Sequence, residues 1–534
     1  MSTPSSNKST MRDALTKPQG FRFLGLDFDS AIKYFFGGNA FVAVVVLALI
    51  TIFLFKEGFG FISQNRRNLQ VYRQAGLEYV DIMRSRMDAH TKLGRQVNAA
   101  RLNLFKDLQK QGKSLDEINA MLAPLDEFSG KFSDAAETLR GLVSDYGDAA
   151  ATIKQSASEI QDRLEEKEML IDAGKRDQAE KVVVPVIDFP SARKVILDSE
   201  PQYAELCGAM RSTLIALINT PNPGYEMIPL EVRSRFKTDT LAFLDYLDQG
   251  KSELTAWNPD KPVGYLDGLA SFLTHPEWLT ASFWQDWYGV IPLFVGSLFV
   301  SVIALLLAVP LGVSAAIYVN QIAGNREASY IKPAIEFIAA FPSVVLGFFG
   351  VAILGETIRA ISGWHFLSWI SFFPIAERLN ATTAGILLGL MAVPTIFSLA
   401  EDAINNVPVH FKEASFALGA SKLQTLVKII IPAALSGIIA AVLLGFGRVI
   451  GETMVVLLCA GNRIKIPDFT EGLGAFFQPV HTMTGIIAQE MGEVPSGSIH
   501  YRALFMVAIL LFLLALGINF LAQRIVRRFK ISIG

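Results

Sequence analysis

Long apolar stretches alternate with polar ones along the chain, and this alternation predicts most of its architecture. A helix that crosses a bilayer needs about 17–25 mainly apolar residues. Runs close to or above that length occur once near the start of the chain and five times after residue 288. We therefore expect an all-α membrane protein with six transmembrane helices. The predicted spans are residues 40–55 (extendable to 34–61), 289–319, 331–354, 382–399, 431–459 and 503–522.

Residues 62–285 interrupt this pattern between the first and second spans. Charged residues are frequent there, and apolar residues recur at helical spacing, as at Val80, Met83 and Met87. Ser114 followed by Glu117 predicts a capping box at the start of one helix. The segment therefore predicts a large, mostly helical domain outside the bilayer. Its pattern favours a structural insertion, and a docking or sensing domain is the alternative.

Basic residues predict the orientation of the chain, because cytoplasmic loops carry the excess of lysine and arginine. They accumulate in residues 1–39, 320–332 and 407–430 and in the tail after residue 522. We expect these regions in the cytoplasm, with both termini, and the large helical domain in the periplasm. The expected domains are a cytoplasmic segment 1–39, a first transmembrane helix 40–61, an extracytoplasmic domain 62–285 and a transmembrane domain 286–530.

Composition narrows the class of protein further. Hydrophobic residues make up 51% of the 534 residues and the mean hydropathy is +0.37, which excludes an ordinary soluble protein. The net charge of −2, with acids and bases interleaved, gives no sign of a nucleic-acid partner. Two cysteines in different segments and six scattered histidines predict no disulfide, metal site or cofactor. The chain lacks a GxxxxGK[ST] phosphate-binding loop, so we expect no catalytic activity in it.

The segment just before the fifth span predicts a surface elbow. Pro408 ends the preceding helix, Phe411–Leu418 forms a short helix and Gly419 stops it. Ser421 with Gln424 predicts a capping box that opens a second helix, which continues into the span. Such an elbow, residues 407–430, can pass a push directly to the span. An ordinary interfacial helix between two spans is the alternative.

The elbow also carries a recognisable run of residues. The run is Glu413-Ala414-Ser415, three residues, Gly419, nine residues and Ile429-Ile430-Ile431-Pro432. It resembles the EAA loop of ABC importer permeases, with Ser415 and Ile431 in place of that pattern's alanine and leucine. The resemblance implies a type I importer core whose elbow docks on a separate ATPase subunit. The implied coupling positions are Glu413, Ala414, Gly419 and Pro432.

A second run, Gly447 to Met454, resembles the Gly-Arg-x-x-Gly-Glu-Thr-Met motif of phosphate-specific permeases of the PstC type. The resemblance implies a permease subunit of an ATP-driven phosphate importer in the inner membrane. Implied partners are a second permease of the PstA type, an ABC ATPase dimer and a periplasmic phosphate-binding protein. The alternatives are a permease for sulfate or molybdate, and a membrane sensor that uses the outer helical domain.

Arg448, Glu452 and Thr453 are the candidate residues of the substrate pathway. Ionisable groups inside a membrane are costly unless paired or hydrated, and residues four apart share one face of a helix. A guanidinium suits phosphate, and a nearby carboxylate would keep the arginine from trapping the anion. A purely structural ion pair is the alternative for Arg448 and Glu452. Thr453 is as well explained by helix packing.

Overall fold

The chain is mostly helical. A computed structural model describes residues 22–529 except 24–25, 173, 281, 368 and 371. Most of the predicted cytoplasmic N-terminal segment therefore lies outside the described residues. Two short antiparallel hairpins accompany the helices: β1 (Arg22–Phe23) with β2 (Leu26–Asp27), and β3 (Trp278–Leu279) with β4 (Trp287–Tyr288).

Six of the described helices are long and apolar enough to cross a membrane, as the hydropathy pattern predicts. The first belongs to α1 (Phe28–Gln74), a single helix of 47 residues. At 1.5 Å per residue it is about 70 Å long, more than twice the thickness of a bilayer core. Its second half therefore extends beyond the apolar stretch. The candidate spans are Ile32–Gln74, Ile291–Ile322, Ser343–Ser362, Ala381–Asn405, Lys422–Ile450 and Ile499–Arg528.

The segment between the first two spans forms a helical bundle with a core of its own, which confirms the predicted helical insertion. The predicted capping box at Ser114 and Glu117 is present. Aromatic rings of Phe128, Phe132 and Phe236 are buried at its centre. The helices are α2 (Leu77–Lys110), α3 (Leu115–Asp134), α4 (Glu137–Asp172), α5 (Arg176–Ala179), α6 (Phe189–Leu197), α7 (Glu200–Asn219), α8 (Pro223–Glu226), α9 (Leu230–Ala256) and α10 (Tyr265–Thr274).

The remaining helices pack through small residues. A Cβ atom on Gly389 would lie 2.8 Å from the carbonyl oxygen of Ala304, so two spans approach closely there. The helices are α11 (Ile291–Ile317), α12 (Asn325–Ile338), α13 (Ser343–Phe349), α14 (Gly355–Ser362), α15 (Ala381–Asn405), α16 (Val409–Ala417), α17 (Lys422–Thr425), α18 (Ile431–Ile450), α19 (Met454–Cys459), α20 (Met483–Glu490) and α21 (Ile499–Phe529). Short π turns follow α11, α13 and α17, and 3-10 turns cover His365–Leu367 and Phe469–Phe477.

The third span differs from its prediction over residues 331–354. Helix α12 ends at Ile338, and Pro342 has an extended conformation that starts α13 at Ser343. The proline cannot continue the preceding helix because it lacks an N–H and restricts its neighbour. Polar α12 is thus separate, and its Lys332 pairs with Glu401 of α15 at 3.1 Å. The span itself lies further along the chain.

The fifth span also differs from its prediction over residues 431–459. Helix α18 ends at Ile450, the chain leaves the helical path over residues 451–453, and α19 begins at Met454. Gly451 stands at this break, where a glycine weakens helix continuation. At the other end the span begins earlier, since α17, a π turn and α18 run continuously from Lys422.

Successive spans alternate in direction, so the bundle and the elbow lie at opposite ends of the membrane domain. At the bundle end, Phe61, Tyr288 and Leu293 share a buried cluster with the start of α21. At the elbow end, Phe397 and Leu426 belong to another cluster. The elbow forms one of these ends, and Arg448 lies at the far end of the helix that leaves the elbow.

Candidate functional site

The elbow has the local structure that its sequence predicts. Helix α16 begins two residues before the predicted start and is followed by Gly419 with φ +81°. The Gly419 N–H donates to the carbonyl of Phe416 at 2.9 Å, and the Ala420 N–H donates to that of Ser415 at 3.2 Å. This pair of bonds is a Schellman motif, which uses a left-handed residue to end a helix.

The second arm of the elbow is joined to the first by a buried hydrogen bond. Ser421 and Gln424 form the predicted capping box, with bonds of 2.9 and 3.3 Å. The hydroxyls of Ser415 and Thr425 lie 2.8 Å apart, and both side chains are buried. The two arms therefore form one unit.

The outer surface of the elbow carries both charged and apolar side chains. Glu413, Ala414 and Gly419 are exposed. Beside them, Leu418 is 89% exposed and Leu423 is 67% exposed. Exposed apolar groups of this kind mark interaction surfaces. The two leucines were not among the predicted site residues, although large apolar residues in a polar segment were a usable signal.

The connection from the elbow to the fifth span contains no loop. Pro432 lies at the start of α18, immediately after the π turn Leu426–Ile430. A proline cannot donate the helical hydrogen bond, and the π turn occupies the position where that bond is missing. Leu426 and Ile430 are buried against the elbow-end cluster. Helices α17 and α18 are therefore joined by a helical turn with buried side chains.

Arg448 lies in the last turn of α18 at the opposite end of the span. Its Nη1 atom donates a hydrogen bond to Thr395 Oγ1 of α15 at 2.9 Å. The predicted common helical face with Glu452 is wrong, because α18 ends between the two residues. No ion pair joins them in the described part of the chain. The structure thus gives the guanidinium a hydroxyl partner from a different span.

Glu452 stands in the break between α18 and α19, beside a row of hydroxyl groups. Its carbonyl accepts a hydrogen bond from Thr484 Oγ1 at 2.8 Å. A narrow crevice next to it is lined by Ser297, Ser301, Thr482 and Thr484. Thr453 is the third predicted residue. Its carbonyl accepts a hydrogen bond from the Leu457 N–H at 3.0 Å, in the first turn of α19.

The crevice depends on a close contact between α11 and the loop before α20. A Cβ on Gly296 would lie 2.0 Å from the carbonyl oxygen of His481. Next to this contact, the Met483 N–H donates to Ser297 Oγ at 2.8 Å. Thr395, Ser297 and Thr484 were not predicted as site residues. For Thr395 and Ser297, an isolated hydroxyl within an apolar span was a usable signal. The sequence did not show which groups lie next to these hydroxyls in space.

Comparison with known proteins identifies the family. The model of the binding-protein-dependent transport system inner membrane component matches residues 308–531. The probable ABC transporter permease protein YqgH of Bacillus subtilis (strain 168) is 34% identical over 271 residues, which cover 48% of this chain and 82% of that protein. The chain belongs to this family of permeases.

Other similar proteins include the phosphate transport system permease protein PstC of Pasteurella multocida (strain Pm70), at 28% identity over 52% of this chain and 83% of that protein. PstC 1 of Mycobacterium tuberculosis (strain ATCC 25618 / H37Rv) is 31% identical over 51% of this chain and 80% of that protein. A solved inward-facing MetNI methionine ABC transporter aligns with 45% of this chain and 94% of its own chain, at 19% identity and a TM-score of 0.32.

The permease is thus a multi-pass inner-membrane component of an ABC importer. It is a channel component without catalytic activity of its own, and its ATPase is a separate subunit. It works with a substrate-binding protein, as the family description states. The matched residues begin at 308, so the helical bundle lies outside the family match. Arg448, Thr395 and the hydroxyl row lie within or beside the matched part.

Proposed function

We propose that this permease is a subunit of an ATP-driven phosphate importer and forms part of its translocation pathway. The observation that carries the proposal is the Arg448 guanidinium, held by Thr395 at the end of a span. Arg448 belongs to the Gly447–Met454 run, and several similar proteins are phosphate permeases by name. Guanidinium offers paired N–H donors that match the oxygens of a phosphate group.

The roles of the pathway residues follow from their contacts. Thr395 orients the guanidinium by accepting one of its hydrogen bonds, which leaves other N–H donors for a passing anion. Glu452 helps to line the crevice beside the hydroxyl row, and in this proposal its negative charge disfavours prolonged binding of the anion. Thr453 orders the start of α19. Transport requires release as well as binding of the anion. In this proposal Arg448 serves binding and Glu452 serves release.

The elbow transmits the force. Glu413, Ala414 and Gly419 lie on its exposed surface, where an ATPase of the proposed dimer docks, and Pro432 marks the start of α18. In this proposal the elbow and both termini face the cytoplasm and residues 62–285 face the periplasm. The remaining proposed partners are a second permease of the PstA type and a phosphate-binding protein. The domain limits are 1–39, 40–61, 62–285 and 286–530.

Reconstitution of the complete importer tests the pathway. Uptake and ATPase activity are measured with binding protein loaded with phosphate, and separately with sulfate or molybdate. Arg448→Gln is expected to lower phosphate uptake about tenfold or more, because a charge-assisted hydrogen bond contributes about 1.5–3 kcal/mol. Thr395→Val is expected to lower it less. Arg359→Gln is the matched control, since Arg359 pairs with Glu356 on the exposed surface of α14.

Several outcomes would contradict the proposal. Normal phosphate uptake by both Arg448→Gln and Glu452→Gln would remove these residues from the pathway. Stimulation by sulfate or molybdate without phosphate would assign another oxyanion. Glu413→Lys tests the elbow separately: a correctly inserted variant should lose stimulated ATPase activity. ATP hydrolysis that is indifferent to both the substrate and this variant would favour a sensor.

A further inference from the structure

A partly open cavity of about 400 Å³ lies where the helical bundle meets the membrane domain. Its walls come from four parts of the chain: the second half of α1, the middle of α4, the loop between β3 and β4, and the start of α21. Its size falls within the range of roughly 300–1,000 Å³ that is typical of small-molecule sites. It lies at the opposite end of the membrane domain from the elbow.

Lys154 of α4 is the distinctive residue of this cavity. Its side chain is 8% exposed, yet no hydrogen bond or ion pair satisfies its ammonium group in the described part of the chain. Burial lowers the pKa of Lys154, and the negative charge of Asp286 opposes this effect. The stem of Lys154 is buried while its ammonium nitrogen keeps access to the cavity, so an anion there can form a charge-assisted hydrogen bond with it.

The other polar groups of the cavity are partly satisfied. Gln64 donates to the Gly497 carbonyl at 3.0 Å, and its Oε1 atom is fully buried and does not open onto the cavity. Asn68 donates to the Asp286 carbonyl at 3.2 Å, and the Asp286 carboxylate accepts from the Ser282 N–H at 2.8 Å. An occupant that brings both an anionic group and hydroxyl donors would bond to Lys154 and to the Asp286 carboxylate.

The loop that closes the cavity is firmly attached to the bundle. Trp284 donates from Nε1 to Asp81 Oδ1 at 2.8 Å, and its ring lies against Gly147, where a Cβ would be 2.0 Å away. Phe283, beside it, lines the cavity. The cavity wall is therefore formed by this attached loop and by three long helices, α1, α4 and α21. It is a formed site that exists before any ligand arrives.

We propose that this cavity binds a small hydroxylated organic anion, such as a phosphate monoester or hydroxy acid, and that the occupant joins the bundle to the first and sixth spans. Ligand atoms between Lys154 and Gln64 contact α4 and α1 together, and the start of α21 adjoins them. The site is separate from the substrate pathway at Arg448. Its occupancy therefore regulates how rigidly the bundle is coupled to the spans, whichever anion is transported.

Calorimetric titration of the full chain in phosphatidylcholine nanodiscs tests this site. The probe is glycerol 3-phosphate, and glycerol is the uncharged comparison. We compare the native chain with Lys154→Met and, as a matched control, with Lys113→Met, which alters an exposed lysine of the same bundle. Lys154→Met should fold, because methionine fills similar space and removes an unpaired buried charge. Circular dichroism and the elution profile verify folding.

The expected result is saturable binding of glycerol 3-phosphate by the native chain and by Lys113→Met. Binding should weaken about tenfold or more in Lys154→Met, as expected for loss of a charged hydrogen bond. Glycerol should not bind. Absence of glycerol 3-phosphate binding to the native chain, or equal affinity in Lys154→Met, would overturn the proposal.

The same chemistry could come from a soluble metabolite or from a lipid headgroup, and a second titration distinguishes them. Nanodiscs containing phosphatidylglycerol present the glycerol phosphate group within the bilayer. If the lipid fills the site, the heat of binding of soluble glycerol 3-phosphate disappears in these discs. If the natural occupant is soluble, the heat persists. Either result is compatible with the site. If phosphatidylglycerol reduces the heat of glycerol 3-phosphate binding equally in the native chain and in Lys154→Met, the two compete elsewhere and the proposal is contradicted.

Discussion

Removing the hydroxyl of Ser415 is expected to loosen the elbow. The hydroxyls of Ser415 and Thr425 lie 2.8 Å apart, and the side chains are 3% and 1% exposed. Ser415→Ala leaves the Thr425 hydroxyl buried without a partner, which costs about 1–3 kcal/mol. Thr425→Val strands the Ser415 hydroxyl in the same way. The double variant removes both polar groups and should be less destabilised than the sum of the two single variants.

The magnitude of this effect can be measured as a double-mutant cycle. Residues in direct contact show coupling energies of about 0.5–3 kcal/mol. A loss of 1.4 kcal/mol corresponds to about tenfold faster hydrogen exchange in the elbow, because local opening governs exchange there. The assay is exchange mass spectrometry of peptides from residues 409–430, on the full chain in nanodiscs. Stimulated ATPase activity of the reconstituted importer is measured in parallel.

The control for this cycle is Ser329→Ala. Ser329 is exposed on α12, and its hydroxyl donates to the carbonyl of Arg326 in its own helix at 2.7 Å. Its removal should change stability by less than about 0.5 kcal/mol. Strict additivity of the two elbow variants would refute the reasoning, since it would mean that the buried hydroxyls do not act as a pair.

Three further predictions concern single positions. Gly419→Ala should cost about 1 kcal/mol in the elbow exchange assay, because Gly419 has φ +81° and an alanine is strained there even in open space. Gly296→Ala should lower the thermal unfolding temperature by several degrees or abolish folding, because the new Cβ would lie 2.0 Å from a backbone oxygen. The control is Gly94→Ala, in open space within α2, which should be neutral or stabilising. Burial lowers the pKa of His90 from 6.5 to about 4, so the folded bundle favours neutral His90, and its stability should fall by up to about 3 kcal/mol as pH drops from 7 to 4. His90→Gln should reduce that loss in unfolding curves of the full chain, and an unchanged pH dependence would contradict the assignment.

The sequence anticipated the features that depend on neighbouring residues. The hydropathy of contiguous stretches predicted six membrane-crossing helices, and the described residues contain six. The capping boxes at Ser114 and Ser421, and the helix stop at Gly419, were also predicted correctly. Each of these signals is carried by a few adjacent residues, so no knowledge of the fold is needed to recognise it.

The predicted bounds of two spans were wrong, because apolar composition does not distinguish a continuous helix from a broken one. The third span begins after Pro342, and the fifth ends at Ile450. Arg448 and Glu452 were expected to share one face of a helix on the basis of their spacing alone. Arg448 instead donates to Thr395, because α18 packs against α15.

The sequence by itself determined the class of protein, the number of spans, the presence of a helical insertion and the local form of the elbow. These properties arise from hydrophobicity, helix caps and turn residues, whose effects are short-ranged. Only the tertiary structure decided which hydroxyl holds Arg448, which hydroxyl completes the elbow at Ser415, and that Lys154 is buried in a cavity shared by four segments. Those contacts join residues far apart in the chain, and they form only when the helices pack.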